Sequence, residues 1–276
     1  MQIDFVTVSR YSRNFLLIIS SLLLSAGISA QSADTLWNQT DALGQRQGHW
    51  KKLNPEGNLI YKGFFKNGKP VGKMVRFYEN GNRKAELVYL EGTEITRAKI
   101  YYRTGSLAAT GRYVNMMKDS VWLYYSFYSD DLMYTETYET GLKQGESRKF
   151  YPGGQIAEIM SWHLDMKHGP WKQFFEDSTT RLVSWHDSNQ LHGKYQVYNR
   201  NHVLIMDGEY EHGKMDKTWH FYDDNGKEEH TLQYEKGKLQ SNKELEEWAI
   251  KHMEEIERNL GTIPEVDINN FFEKRD

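Results

Sequence analysis

With 276 residues the chain is long enough for one or two ordinary domains. Its net charge of −3, with acids and bases interspersed, lacks the basic excess by which a nucleic-acid binder declares itself. The absence of cysteine excludes disulfides, a thiol nucleophile, a cysteine-ligated metal and a lipid-modified cysteine at a mature N-terminus. Aromatic residues make up 14% of the chain against an apolar share of 38%, a balance that suits a thin sheet with aromatic ladders better than a thick aliphatic core.

Residues 1–30 have the layout of a secretory signal peptide. Arg10 and Arg13 precede the apolar run Phe15-Leu16-Leu17-Ile18-Ile19, continued by Leu22-Leu23-Leu24, and small residues lead to Ala30. The run is shorter than the roughly 20 apolar residues that cross a bilayer, so cleavage after Ala30 and a periplasmic or secreted mature chain without a membrane span are expected. Residues 31–47 are polar apart from Leu36-Trp37 and read as a leader that covers the open edge of the first hairpin.

From residue 48 the chain repeats itself. Copies open at Gly48, Gly72, Thr96, Ser120, Gly145, Gly169, Gly193 and Lys217, an interval of 24 residues with a single 25 after Ser120. A period of this size means a stacked array in place of an ordinary core. The third residue of a copy is large in most cases (Trp50, Met74, Trp122, Trp171, Tyr195, Trp219), with Ala98 and Ser147 as exceptions. The sixth is Leu53, Phe77, Tyr101, Tyr125, Phe150, Phe174, Tyr198 or Tyr222, and the eighteenth includes Phe65, Tyr89, Tyr113, Trp162, Tyr210 and Tyr234.

Between the aromatic columns lie two turn signals per copy. One contains Gly57, Gly81, Gly105, Gly154 and Gly226; the other contains Gly68, Gly92, Gly141, Asp165, Asn189, Gly213 and Gly237. Two turns leave two segments of about six residues, which is strand length. Each copy is therefore expected to be a β-hairpin, marginal alone and stabilised by the next. The predicted fold is all-β: an elongated, twisted antiparallel sheet of consecutive hairpins over residues 48–240. Trp50 and the sixth-column aromatics are expected to form the packing between copies, so that Phe150→Ala should cost about 3 kcal/mol or more.

Residues 241–261 change period. Ser241 with Glu244 reads as a capping box, Gly261 as a stop, and Leu245, Trp248, Ala249, His252, Ile256 and Leu260 fall on one helical face. This predicts a helix that caps the last hairpin or docks into a partner's groove. Residues 262–276 form a tail.

The phrases Gly48-His49-Trp50-Lys51-Lys52-Leu53, Lys66-Asn67-Gly68-Lys69-Pro70-Val71-Gly72 and Glu211-His212-Gly213-Lys214-Met215 resemble the MORN-repeat family, in particular its bacterial, antitoxin-like variant. The resemblance covers residues 48–240. It implies hairpins in an elongated, often grooved sheet that serves mainly as an interaction scaffold. The antitoxin label implies a cytoplasmic inhibitor of a partner protein, a role at odds with an export signal.

Nothing in the pattern marks an enzyme. There is no His-Glu-x-x-His, glycine-rich phosphate loop or nucleophile elbow. His168 and His192 occupy equivalent places in neighbouring copies, about 9.5 Å apart at two strand spacings, too far to share a metal. No catalytic residue, cofactor or metal is assigned. The reading is an exported protein-interaction scaffold. The alternative is a glycan or cell-wall binder that stacks sugars on exposed rings, with Trp162, Trp171, Trp185 and Trp219 as the ligand-facing candidates.

Overall fold

The computed structural model describes residues 35–264; the expected signal peptide and the end of the tail lie outside the described residues. Among the described residues twenty strands pair antiparallel in one open sheet of consecutive hairpins, and one helix, Lys243–Leu260, comes after them. The leader contributes the short strand Gln39–Thr40, which pairs with Arg46–Leu53, while Trp37 bridges to His49 on the same strand.

Thr96 apart, the opening column is a set of left-handed residues that form bulges within strands or, at Gly145 and Gly193, begin them. The strand Lys69–Phe77, for example, runs through Gly72, whose φ is 66°. Gly48, Gly145, Gly169 and Gly193 are also left-handed, and Ser120 and Lys217 are held there at 57° and 60° despite their side chains, a conformation that costs an L-residue about 1–2 kcal/mol. Thr96 is not left-handed, and across it Arg83–Tyr89 and Ile95–Tyr101 pair without a register shift.

Alternation along the strands gives the sheet two faces. One carries the third-column side chains, and its burial comes mostly from rings laid across the neighbouring strand. A Cβ built on Gly111 would sit 2.3 Å from the Trp122 ring, and one on Gly208 would sit 2.2 Å from Trp219. Each indole therefore lies over a glycine, its Nε1 donating to a backbone carbonyl, Arg112 or Glu209, at 3.1 Å. Where the neighbouring position is larger, the third column shrinks. Leu87 faces Ala98, and the pairing of Arg148 with Thr135 sets Ser147 beside Glu136. The two exceptions to the aromatic column are thus volume compensations. Met160 opposite Trp171 breaks the rule, and Trp171 is only half-buried.

The sixth column does not form the core. Phe77, Tyr101, Tyr125, Phe150, Phe174, Tyr198 and Tyr222 end their strands at a register shift and are half-buried, and Leu53 is exposed. Alternation sets them opposite the packed third column. The residue after them makes the tie between copies. Tyr78, Tyr102 and Tyr151 each donate a hydroxyl hydrogen bond, at 2.7–2.8 Å, to the backbone carbonyl of Tyr101, Tyr125 and Phe174, one copy onward.

Two buried clusters result. One centres on Leu87, Trp122, Tyr124, Tyr134 and Tyr138. The other, around Val197, Trp219, Phe221 and Leu232, is covered by the helix through Ala249, Ile256 and Leu260. The helix is capped by Asn242, whose side chain accepts from the Leu245 N–H at 3.0 Å, so the cap lies one residue beyond the Ser241 expected from sequence. Its apolar face is the one read from the pattern, and Trp248 meets Phe221 edge-on at 5.3 Å.

Gly111→Ala should destabilise the array by about 1–3 kcal/mol in chemical denaturation, and by clearly less when Trp122 is also alanine; equal losses in both backgrounds would show that the ring does not rest on this glycine. Phe150→Ala, half-buried, is expected to cost less than Trp122→Ala in the same assay.

Candidate functional site

The four tryptophans proposed to face a ligand have different fates. Trp219 is fully buried, because the missing Cβ of Gly208 lets its ring lie flat within the helix-covered cluster, so it is not ligand-facing. Trp162 and Trp171 are half-buried; their indoles donate to Ser147 Oγ at 2.7 Å and to Glu158 at 3.1 Å. Trp185 alone of the four is exposed, at 43%. Its neighbour His186 takes the eighteenth-column place, buried edge-on against Trp171 at 5.2 Å, and burial with the nearby Lys167 lowers its pKa to about 4.

On the aromatic face, where copies four and five meet, a carboxylate is buried. Glu136 accepts from the hydroxyls of Tyr124 at 2.9 Å, Tyr134 at 3.1 Å and Tyr138, and its other partner is the Lys143 ammonium at 2.5 Å. Lys118 donates to Tyr124 and Tyr138 and lies over the Trp122 ring. Burial alone would raise the Glu136 pKa, but Lys143 and the tyrosine hydroxyls overcome it and hold the carboxyl below its ordinary 4.5. Burial beside this charge drives all three tyrosines up, so they stay protonated donors. A carboxylate saturated by four donors has no lone pair directed at a substrate, and the cluster is a polar lock within copy four, to which Lys118 of copy three is tied.

The opposite face is open across copies two to four. Lys73 pairs with Val88, Val88 with Arg97, and Arg97 with Arg112, while Lys99 lies between Glu86 and Thr110. These residues line a shallow groove of about 530 Å³ that also exposes Val121. Glu86 is engaged by Arg83 at 2.6 Å and Lys73 at 3.1 Å, and Asp119 by Arg112 at 2.5 Å. Among the described residues Arg97 and Lys99 have no ion-pair partner. Arg97 directly opposite Arg112 is a like-charge pair, which costs stability in a sheet.

The turn Ser126–Asp131 holds the extra residue of the 25-residue copy. It displays Phe127, packed edge-on against Tyr102 at 5.0 Å, and Tyr128, 94% exposed. Ser126 stands where other copies carry the tying tyrosine, and its hydroxyl accepts instead from the Tyr128 and Ser129 N–H groups of its own turn. The groove escaped sequence reading, because its cations come from three different strands.

Among the described residues no helix is long and apolar enough to cross a membrane. A family model described as MORN repeat variant matches residues 46–67, 70–91 and 143–163. No curated protein matches the chain.

Glu136→Gln should lower stability by about 1.5–3 kcal/mol at neutral pH, since it removes charge-assisted hydrogen bonds from a buried site. The native carboxyl has a depressed pKa, so its contribution is present above the ordinary glutamate value and is lost as pH falls through the folded pKa. Denaturation of the two proteins should therefore converge in acid. A gap that does not narrow on acidification would show that the charge contributes nothing.

Proposed function

This chain is built from repeats of the MORN variant family, and from that premise we propose that it is an exported, non-catalytic scaffold that holds an acidic segment of a partner protein against the open face of copies two to four. Repeats of this family are generally involved in binding proteins or membranes, on a scaffold known as a non-catalytic fold. The observation that carries the reading is the unrelieved positive charge around exposed valines. Arg97 stands against Arg112 with Lys99 unpaired beside them, and a carboxylate seated between them would remove the repulsion while Val88 and Val121 supply apolar contact. Sheets that break a local pairing rule commonly do so where a ligand compensates. The exposed aromatics Phe127 and Tyr128, on the turn of the fourth copy, are the residue type that anchors protein interfaces.

Export rests on residues 1–30, whose basic start, apolar run and small-residue end match a cleaved leader. The glycan reading is weaker, since three of its four tryptophans are half-buried or buried.

Affinity capture from envelope extract, followed by cross-linking through Lys99, should recover an acidic partner whose binding falls with salt and is lost in the Arg97→Glu, Lys99→Glu double variant. Undiminished capture by the variant, or binding only to anionic vesicles, would overturn the assignment. Residues 1–30 fused to a reporter that matures only outside the cytoplasm should give an active, processed product; an inactive cytoplasmic fusion would remove export.

A further inference from the structure

The hairpin turns on one edge of the sheet place His192, Glu211 and His212 together although they occupy non-equivalent positions of adjacent copies. His192 immediately precedes the opening Gly193, while Glu211 ends the strand Leu204–Glu211 and His212 begins its turn. The turn is pinned beside His192 by the Gly213 N–H, which donates to the Leu191 carbonyl at 2.8 Å. Glu211 lies with one carboxylate oxygen 3.8 Å from His192 Nδ1 and the other 3.3 Å from His212 Nε2, and the two imidazole rings are 5.3 Å apart.

We propose that these three side chains form a binding site for one borderline divalent transition metal ion of the zinc class. Bonds of about 2.0–2.2 Å in tetrahedral array separate ligand atoms by about 3.4 Å; here one atom of each residue lies within 4.8 Å of the others. Small side-chain rotations close the set around an ion. His192 Nδ1 is buried and has no hydrogen-bond partner, an arrangement that costs free energy unless a ligand takes the lone pair. Glu211 and His212 are exposed, which leaves an entry path and a fourth position for water. Two imidazoles with one carboxylate suit zinc, nickel or copper; calcium and magnesium prefer oxygen ligands throughout.

The neighbouring copy supplies an internal contrast. His168 and Asp187 repeat the His192 and Glu211 pair, but their Nδ1–Oδ1 contact is already 3.1 Å, Ser188 also bonds Asp187, and Ser188 stands where His212 supplies the third ligand. Among the described residues this is the one such group. The ion would clip the closing turns of the sixth and seventh copies, adding a tie where hairpins otherwise meet through backbone and ring contacts, and would raise their stability by mass action.

The test is calorimetric titration of the tag-free full chain with zinc chloride, paralleled by the visible absorption of bound cobalt and by thermal melting. One ion per chain, tetrahedral cobalt bands and a higher melting temperature with zinc are expected. His192→Gln and His212→Asn should each weaken binding by about ten-fold or more, and His168→Gln should leave it unchanged. Asparagine is chosen at 212 because φ is 48° there and asparagine tolerates that region; circular dichroism checks that each variant folds. Absence of stoichiometric binding by the wild type, or equal loss in His168→Gln, would overturn the site.

Discussion

The structure depends on a ring from one strand lying flat on the backbone of the next. A single sheet has no second layer to bury its side chains, so the indoles of Trp122 and Trp219 are covered edge to edge by neighbouring rings and rest on Gly111 and Gly208. Removing the Cβ beneath a tryptophan makes this approach possible, and the same requirement explains why Ala98 stands opposite Leu87 and Ser147 beside Glu136. Volume is conserved across these junctions, Met160 opposite Trp171 apart, which a column of identical residues would not achieve.

That constraint also orders the rest. Each copy is held to the next by its rings and by ladder hydrogen bonds, and in three copies also by a tyrosine hydroxyl that reaches one copy onward. Contacts remain local, and the array is extended one unit at a time. Such a fold tolerates divergence in one copy without loss of the whole. The extra residue after Ser120 is absorbed in the Ser126–Asp131 turn, where Ser126 replaces the tying tyrosine and Tyr128 reaches solvent. The nearby lock of Glu136, Lys143 and three tyrosines holds the fourth copy together, and Lys118 joins the third copy to it.

The two faces divide the work. The aromatic face is used up in packing and, at the last copies, by the helix. The opposite face carries alternating polar residues whose charges are determined by nothing in the core, and there Arg97, Lys99 and Arg112 gather around Val88 and Val121. An array gives such surface residues regular spacing at no structural cost, which is how repeat folds come to serve as binding platforms.

The 24-residue period, the hairpins, the antiparallel sheet and the terminal helix were legible in the sequence, because turn residues and strand-length segments are local signals that survive in every copy. Which column forms the core was not. Phe150 and its equivalents repeat more faithfully than Trp122 and Ser147, yet the less uniform column is the packed one, since packing conserves the sum of two side chains from different strands and neither one alone. The bulges at the opening glycines decide which side chains share a face, and they lie within strands where the pattern suggested a boundary. Trp219 and Trp185 are alike in one dimension; only the register buries the first and exposes the second. His192 and His212 meet for the same reason: pairing of adjacent hairpins joins residues whose separation of 20 is set by the stacking of turns and by no motif in the chain.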